Sequence, residues 1–265
     1  MRTGFAISAA IALLASSVSV QAEPVTACTA NRFCYCIGAG LQGAIDQNVA
    51  KIRERIAQQK TLGKAIGYLS VPLSTIGGSY MGLNTKVAEQ SKKRIEARFG
   101  PGSVWILNPG AKDFALPDGA RGPEYMLMWT KVLEGDGGLG KDFDFVYFAG
   151  PSDFARFFSL GGRGDMQKIE KYYERVSRTD PELKKVVKTT FRNYYALRAS
   201  VSFSYGSHDE WNIVRGINEK RREADKKTGL STQLGVMFDG YPAAPALLET
   251  SVVPGNAYAC DTVPK

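Results

Sequence analysis

The chain has 265 residues, 44% of them hydrophobic and 23% charged, and 34 Lys and Arg against 26 Asp and Glu give a formal net charge of +8. The basic excess lies in two glutamate-interleaved runs, around Lys92-Lys93-Arg94 and Lys220-Arg221-Arg222. Such runs are solvated helix faces, and without aromatic residues between them they exclude a nucleic-acid partner from the expected functions. No internal repeat or low-complexity segment is present, and past the amino terminus no apolar run reaches membrane-spanning length.

Met1-Arg2, the small and apolar run from Phe5 to Val20, and Val20 and Ala22 at the minus-three and minus-one positions have the layout of a secretory signal peptide over residues 1–22. An uncleaved anchor is the alternative. The mature chain is therefore expected in the periplasm or the medium. Residues 23–44 form a glycine-rich lead-in with little periodicity that carries Cys28, Cys34 and Cys36, while Cys260 lies near the other end. In an exported chain an even cysteine count predicts disulfides, with Cys260 joined to the amino-terminal group and the two ends of the domain stapled together. A soft-metal site on Cys28, Cys34 and Cys36 is the competing reading, although no histidine lies nearby.

The α/β domain is expected over residues 45–240. Ile45, Val49, Ile52 and Ile56 recur at helical spacing and predict a helix to Leu62, ended by Gly63. The run from Ala65 to Ser74 predicts a strand covered on both faces. A glycine-broken loop through Gly77 and Gly78 follows, and then a helix from an Asn84 N-cap to Phe99, with Val87, Ser91, Ile95 and Phe99 on one stripe. Val104 to Leu107 is a second buried strand ending at Asn108-Pro109. The polar stretch Gly110 to Gly122 is long enough to be a lid or binding loop. Pro123 opens an apolar helix, and Phe143 to Phe148 is the third strand, leaving through Gly150-Pro151-Ser152-Asp153.

A short helix from Phe154 to Leu160 and another from Met166 follow. Asp180-Pro181 marks the start of a helix continuing through Val187, Phe191 and Tyr194. Ser200 to Tyr205 is read as a fourth strand, and Ser207-His208-Asp209-Glu210 as a capping box opening the next helix. Gln233 to Phe238 is the fifth strand. Residues 241–265, rich in Pro and Ala, are expected to wrap back along the domain. Strands separated by helices, joined by right-handed crossovers, predict a three-layer α/β/α sandwich around a mostly parallel five-stranded sheet, flavodoxin-like in class.

In such a sheet the strand exits converge on one crevice. They supply Ser74, Gly77, Gly78, Asn84, Asn108 and Asp209 as candidate ligand-binding residues. The Gly77-Gly78 turn before a helix amino terminus suits a small anionic group. Asp153 and His208 are the candidate carboxylate and acid–base pair, with Asp209 beside the single histidine as its orienting group. No P-loop, G-x-S-x-G elbow or metal-ligand spacing is present, so neither a metal nor an organic cofactor is expected. Oligomeric state is not written in any of these features.

The strand Tyr68-Leu69-Ser70-Val71-Pro72-Leu73-Ser74, its glycine-rich exit, the helix from Asn84 and the strand ending Leu107-Asn108-Pro109 together resemble the opening of the nucleoside 2-deoxyribosyltransferase-like group. The resemblance implies a flavodoxin-like fold and cleavage of N-glycosidic bonds through a carboxylate nucleophile. Where that group carries its catalytic glutamate, this chain reads Gly150-Pro151-Ser152-Asp153-Phe154, which puts Asp153 in that role, and Glu124 would stand for the ligand-positioning aspartate. The expected function is an exported α/β protein that binds a small anionic sugar- or nucleotide-like ligand without turning it over. The alternative is an N-glycosidase or deoxyribosyltransferase-like enzyme acting on nucleoside-type substrates.

Overall fold

A computed structural model describes residues 23–73, 78–198, 205–228, 233–244, 246 and 258–261. The predicted signal peptide, Ser74, Gly77 and nearly all of the predicted strand from Ser200 to Tyr205 lie outside the described residues. The lead-in is more ordered than its lack of periodicity suggests. It forms an antiparallel hairpin of β1 (Pro24–Cys28) and β2 (Cys34–Gly38), with Cys28 directly opposite Cys34. Two disulfides, Cys28–Cys34 and Cys36–Cys260, use all four cysteines, so the long-range pairing expected for Cys260 is present and no free thiol remains for a metal.

The predicted helix after the hairpin is α1 (Gln42–Thr61), and its stripe of Ile45, Val49, Ile52 and Ile56 is buried. The main sheet begins with β3 (Ala65–Ser70), followed by α2 (Met81–Phe99) and β4 (Val104–Leu107). Next come α3 (Gly122–Glu134), β5 (Phe145–Phe148), α4 (Pro151–Phe158) and α5 (Asp165–Val176). The order across the sheet is β4-β3-β5-β6-β7, where β6 is Gly235–Phe238 and β7 is Tyr241–Pro242. All neighbouring pairs are parallel except β6 with β7.

Strand side chains alternate between two helical layers, as a pleat with period two requires. Ile66, Tyr68, Leu107, Val146 and Phe148 pack with α1, α3 and α8 (Tyr205–Thr228), whereas Leu69, Ile106 and Tyr147 pack on the side of α2. The chain is therefore a three-layer α/β/α sandwich with a mostly parallel five-stranded centre. At Gly67 the sheet is tight: a Cβ there would lie 2.5 Å from Ile106 Cδ1 and 2.6 Å from the Phe145 ring, so a larger residue would have to displace those side chains.

Several boundaries differ from the sequence expectation. Helix α2 starts three residues before Asn84, with Tyr80 as the residue before its first turn, so Asn84 is an interior buried residue and not the N-cap. Phe99, at the end of that helix, is 42% exposed, its ring 6.2 Å from that of Phe145. The helix expected from Asp180 through Tyr194 is three pieces: α6 (Pro181–Lys184), α7 (Lys188–Asn193) and a π-helical turn, Tyr194–Arg198. Asp180 does cap the first, accepting from the amides of Glu182 and Leu183. The stretch Gly110 to Gly122 is fastened at several points. Phe114 and Leu116 are in the core, Asn48 donates to the carbonyls of Phe114 and Ala115, and Tyr125 Oη accepts from Leu116 N–H at 3.1 Å.

Candidate functional site

Among the expected ligand residues, Gly78, Asn84 and Asn108 are engaged within the fold. Gly78 adopts φ +98°, and any Cβ there would run into the Thr190 carbonyl of α7, so the glycine permits a backbone contact. Asn84 is wholly buried, donating to Ser79 Oγ at 2.7 Å and accepting from Tyr195 Oη at 2.7 Å. The Tyr80 amide ahead of α2 also points at Tyr195 Oη, at 2.8 Å. Asn108 closes its own turn by accepting from Gly110 N–H at 2.9 Å. At the next exits Asp239 accepts from both the amide and the hydroxyl of Ser152, which ties the end of β6 to the start of α4.

Asp153 and His208 lie on opposite sides of the sheet. Asp153 is in the first turn of α4, and its carboxylate turns back to the Gly150 amide at 3.0 Å, capping the helix that carries it. It also accepts from Ser91 Oγ and Tyr147 Oη and is ion-paired with Arg94, all on the α2 side. Its side chain is 0% exposed, and these four partners occupy both oxygens. Arg94 in turn donates to Tyr147 Oη at 2.8 Å. The arrangement is a buried, charge-compensated lock between α2, β5 and α4, in which Arg94 offsets the cost of burying the carboxylate. Glu124 is similarly placed: it is buried, caps α3 by accepting from Arg121 N–H, and reaches across to the Gly38 amide of β2 at 2.9 Å.

The opposite face carries a different carboxylate. Helix α8 begins by Tyr205, so Ser207 to Glu210 lie inside it and Glu210 is not part of a capping box. Because α8 runs antiparallel to the strands, its first turns lie over the carboxyl ends of β3 and β5. Glu210 points down onto β3, where Tyr68 Oη donates to Oε1 and Ser70 Oγ to Oε2. Nearby on the same face, Phe148 of β5 packs against Trp211 of α8, their ring centroids 4.8 Å apart. Burial is the largest influence on this carboxyl and pushes its pKa up to about 7; the two hydroxyl bonds oppose the shift, and Asp209 adds to it. The carboxyl therefore keeps its proton to a higher pH than an exposed glutamate does. Tyr68 is fully buried against it, and its pKa is raised well above the ordinary tyrosine value, so the phenol stays a donor.

Exposure is graded along this turn. His208 is exposed, Asp209 is 8% exposed and Glu210 is 6% exposed, so the three residues run from surface to interior in one helical turn. His208 Nδ1 lies 3.3 Å from Asn212 Nδ2, whose amide also donates to the His208 carbonyl at 3.0 Å. Asp209 accepts from Tyr258 Oη at 2.9 Å. Burial raises the Asp209 pKa, while the Tyr258 bond and the His208 ring act the other way. Glu210 was legible in the sequence only as the last letter of S-x-x-E. The missing signal is its partner: Tyr68 stands 142 positions away, and only the sheet and helix together make the pair.

Fold and site thus define an α/β/α sandwich with a buried, proton-binding carboxyl at the exit of its inner strand. No protein-family model, no curated protein and no solved structure matches the chain. Among the described residues there is no group of three or more His, Cys, Asp or Glu able to hold a metal ion, and no helix long and apolar enough to cross a membrane.

Proposed function

We propose that this protein is an exported α/β domain that binds the uncharged, hydroxyl-bearing part of a sugar- or nucleoside-type ligand at the carboxyl ends of its strands. Glu210 is the group that shares a proton with that ligand. The observation that carries this reading is the buried Glu210 carboxyl with its pKa near 7, held by Tyr68 and Ser70 at the exit of β3. Perturbed carboxyls of this kind gather at working sites, where a group poised near the ambient pH can both give and accept a proton.

The charge of the neighbourhood favours a neutral ligand over an anionic one. Asp209 and Glu210 stand side by side, and each anion brought next to them would raise their cost of ionisation further. The α2 amino terminus, the feature that suggested an anion, has Tyr195 Oη at the Tyr80 amide and Thr190 against Gly78. Turnover is the second reading, and the same carboxyl favours it. Ionised, Glu210 has the character of a nucleophile or base; protonated, of a general acid for departure of a nucleobase from its sugar. Asp153, locked by Arg94 on the other face, is not needed for either role.

The test is a thermal-shift series with free sugars, nucleosides, nucleotides and sugar phosphates at pH 7, since a specific ligand stabilises the fold by mass action. Stabilisation by nucleosides or sugars that is lost in Glu210→Gln supports the reading. Stabilisation by phosphorylated compounds alone, or by none of the four classes, overturns it. Chromatography of the nucleoside incubations for free base decides between binding and turnover.

A further inference from the structure

Residues 258–261 lie against the amino-terminal hairpin, with Tyr258 beside Asp209. Their contacts include a disulfide, two amide hydrogen bonds and a ring stack. Cys260 is disulfide-bonded to Cys36 on β2, and the Cys36 amide donates to the Tyr258 carbonyl at 2.7 Å in an isolated parallel bridge between Tyr35 and Tyr258. The Cys260 amide donates to Thr26 Oγ1 at 3.0 Å. The Tyr258 ring stacks on Tyr35, with centroids 6.1 Å apart and planes within 2°. Tyr35 is itself fixed to α3 through Thr130 at 2.8 Å. From this seat Tyr258 Oη donates to Asp209 Oδ1. The segment therefore connects a disulfide to a carboxylate in the first turns of α8.

We propose that the Cys36–Cys260 bond is a reducible latch and that Tyr258 is a positioning residue, held by the latch, which orients and covers Asp209. The inference takes Asp209 as part of the site proposed above. Both latch cysteines are only half-buried, so a small dithiol reaches them. The dithiol's thiolate attacks one latch sulfur to form a mixed disulfide, and its second thiol then displaces the protein sulfur. Two electrons and two protons end on the thiols of Cys36 and Cys260, and the reductant leaves as its own disulfide. Once the bond is open, the covalent tie to the hairpin is gone, and hydrogen bonds and ring contacts such as those of Tyr258 and Cys260 open locally far more readily than a covalent closure.

Asp209 gives this latch a spectroscopic signature. Facing it are His208 and Glu210 on its own helix, Tyr258 from the returning segment and Tyr35 from β2, with Glu134 of α3 acting on Tyr35 from behind. The two perturbations move Asp209 in opposite directions. Tyr258→Phe keeps the ring stack and the cover but removes the bond to the ionised carboxylate, so the titration midpoint rises. Opening the latch admits water, and because burial is the largest cause of the raised pKa, the midpoint falls toward the ordinary aspartate value.

The experiment uses the full chain carrying Cys28→Ser and Cys34→Ser, so that the latch is the one disulfide present. Amide hydrogen exchange and the carboxyl carbon titration of Asp209 are followed by NMR before and after dithiothreitol. The expected result is exchange at the Cys36 and Cys260 amides faster by at least about tenfold, with the other hairpin amides retained, and a downward Asp209 midpoint. Unchanged amide protection and an unchanged midpoint after reduction overturn the latch. So does Tyr258→Phe leaving the midpoint where it was. Should the Cys28→Ser and Cys34→Ser chain fail to fold, graded reduction of the native protein with the same readouts, checked against Cys36→Ser with Cys260→Ser, gives the same decision. No ligand enters these measurements, so a negative ligand screen sinks the proposed function without touching the latch.

Discussion

Replacing Glu210 with glutamine is the sharpest test of how the site is built. In the folded chain this carboxyl binds its proton near pH 7, against an ordinary value of 4.5. Between those two pH values the folded state therefore holds more protons than the unfolded state, and stability falls as pH rises. The loss is absent below about pH 4.5, accumulates up to about pH 7 and is complete above it. At 1.36 kcal/mol per pH unit the penalty is roughly 3 kcal/mol at pH 8. Glutamine cannot ionise, and its amide can still accept from one of Tyr68 and Ser70 and donate to the other. Urea unfolding of both proteins at pH 5 and pH 8 should show the variant near wild-type stability at pH 5 and about 2 to 3 kcal/mol more stable relative to wild type at pH 8. Glu134, also raised by burial, is common to both proteins and cancels in the difference, while Asp209, which interacts with Glu210, is relieved of a neighbouring charge in the variant and adds to the same trend. A stability difference that does not change between the two pH values would refute the claim that Glu210 is a desolvated, proton-holding group.

The two disulfides should differ in worth because they close loops of very different length. Cys36 and Cys260 are 224 positions apart, whereas Cys28 and Cys34 are 6 apart. In the chain-entropy picture, serine replacement of the first pair costs about 5 kcal/mol and of the second about 2 kcal/mol, measured as midpoint shifts in urea; equal costs would mean that local hairpin geometry, not loop closure, sets them. Arg94→Met leaves the fully buried Asp153 without its cation, and unfolding should show a loss of about 3 to 5 kcal/mol. A loss under about 1 kcal/mol would show that the Ser91, Tyr147 and Gly150 donors hold that carboxylate unaided. Gly67→Ala forces a methyl against Ile106 and the Phe145 ring between β4 and β5, and about 1 to 3 kcal/mol of thermal or urea stability should be lost.

The fold was legible because its signals are local and repeated. The Ile45, Val49, Ile52 and Ile56 stripe, the apolar runs of β3, β4 and β5, and Asp180-Pro181 as a helix start each depend on neighbours within one or two turns, and each is found where its period places it. The cysteine count led to the right long-range disulfide for an equally simple reason, since Cys260 has no local partner. The hairpin of β1 and β2 was missed because two five-residue strands punctuated by cysteines carry little alternation, and what orders them is their own ladder and their seat on α3 through Thr130 and Glu124. Asn84 was misplaced as a cap for a related reason: its polar side chain is satisfied by Ser79 and Tyr195, the latter 111 positions away.

The site is where local reading fails in an instructive way. Asp153 has every sequence attribute of a working carboxylate: it follows a glycine and proline turn, opens a helix and leaves a central strand. Yet the same attributes make it a capping residue, and the residue that decides between the two roles is Arg94, one turn beyond Ser91 on a different helix. Glu210 shows the converse. In sequence it completes a capping motif, but an α-helix that begins two residues earlier turns that position inward, onto β3. A buried carboxylate with an arginine beside it has its burial cost offset and fixes structure, whereas Glu210, held by two hydroxyls, is pushed by burial toward its protonated form. The nature of the partner, more than the position on the strand exits, therefore separates the structural carboxylate from the chemically poised one, and it directs the search for ligands to the α8 face.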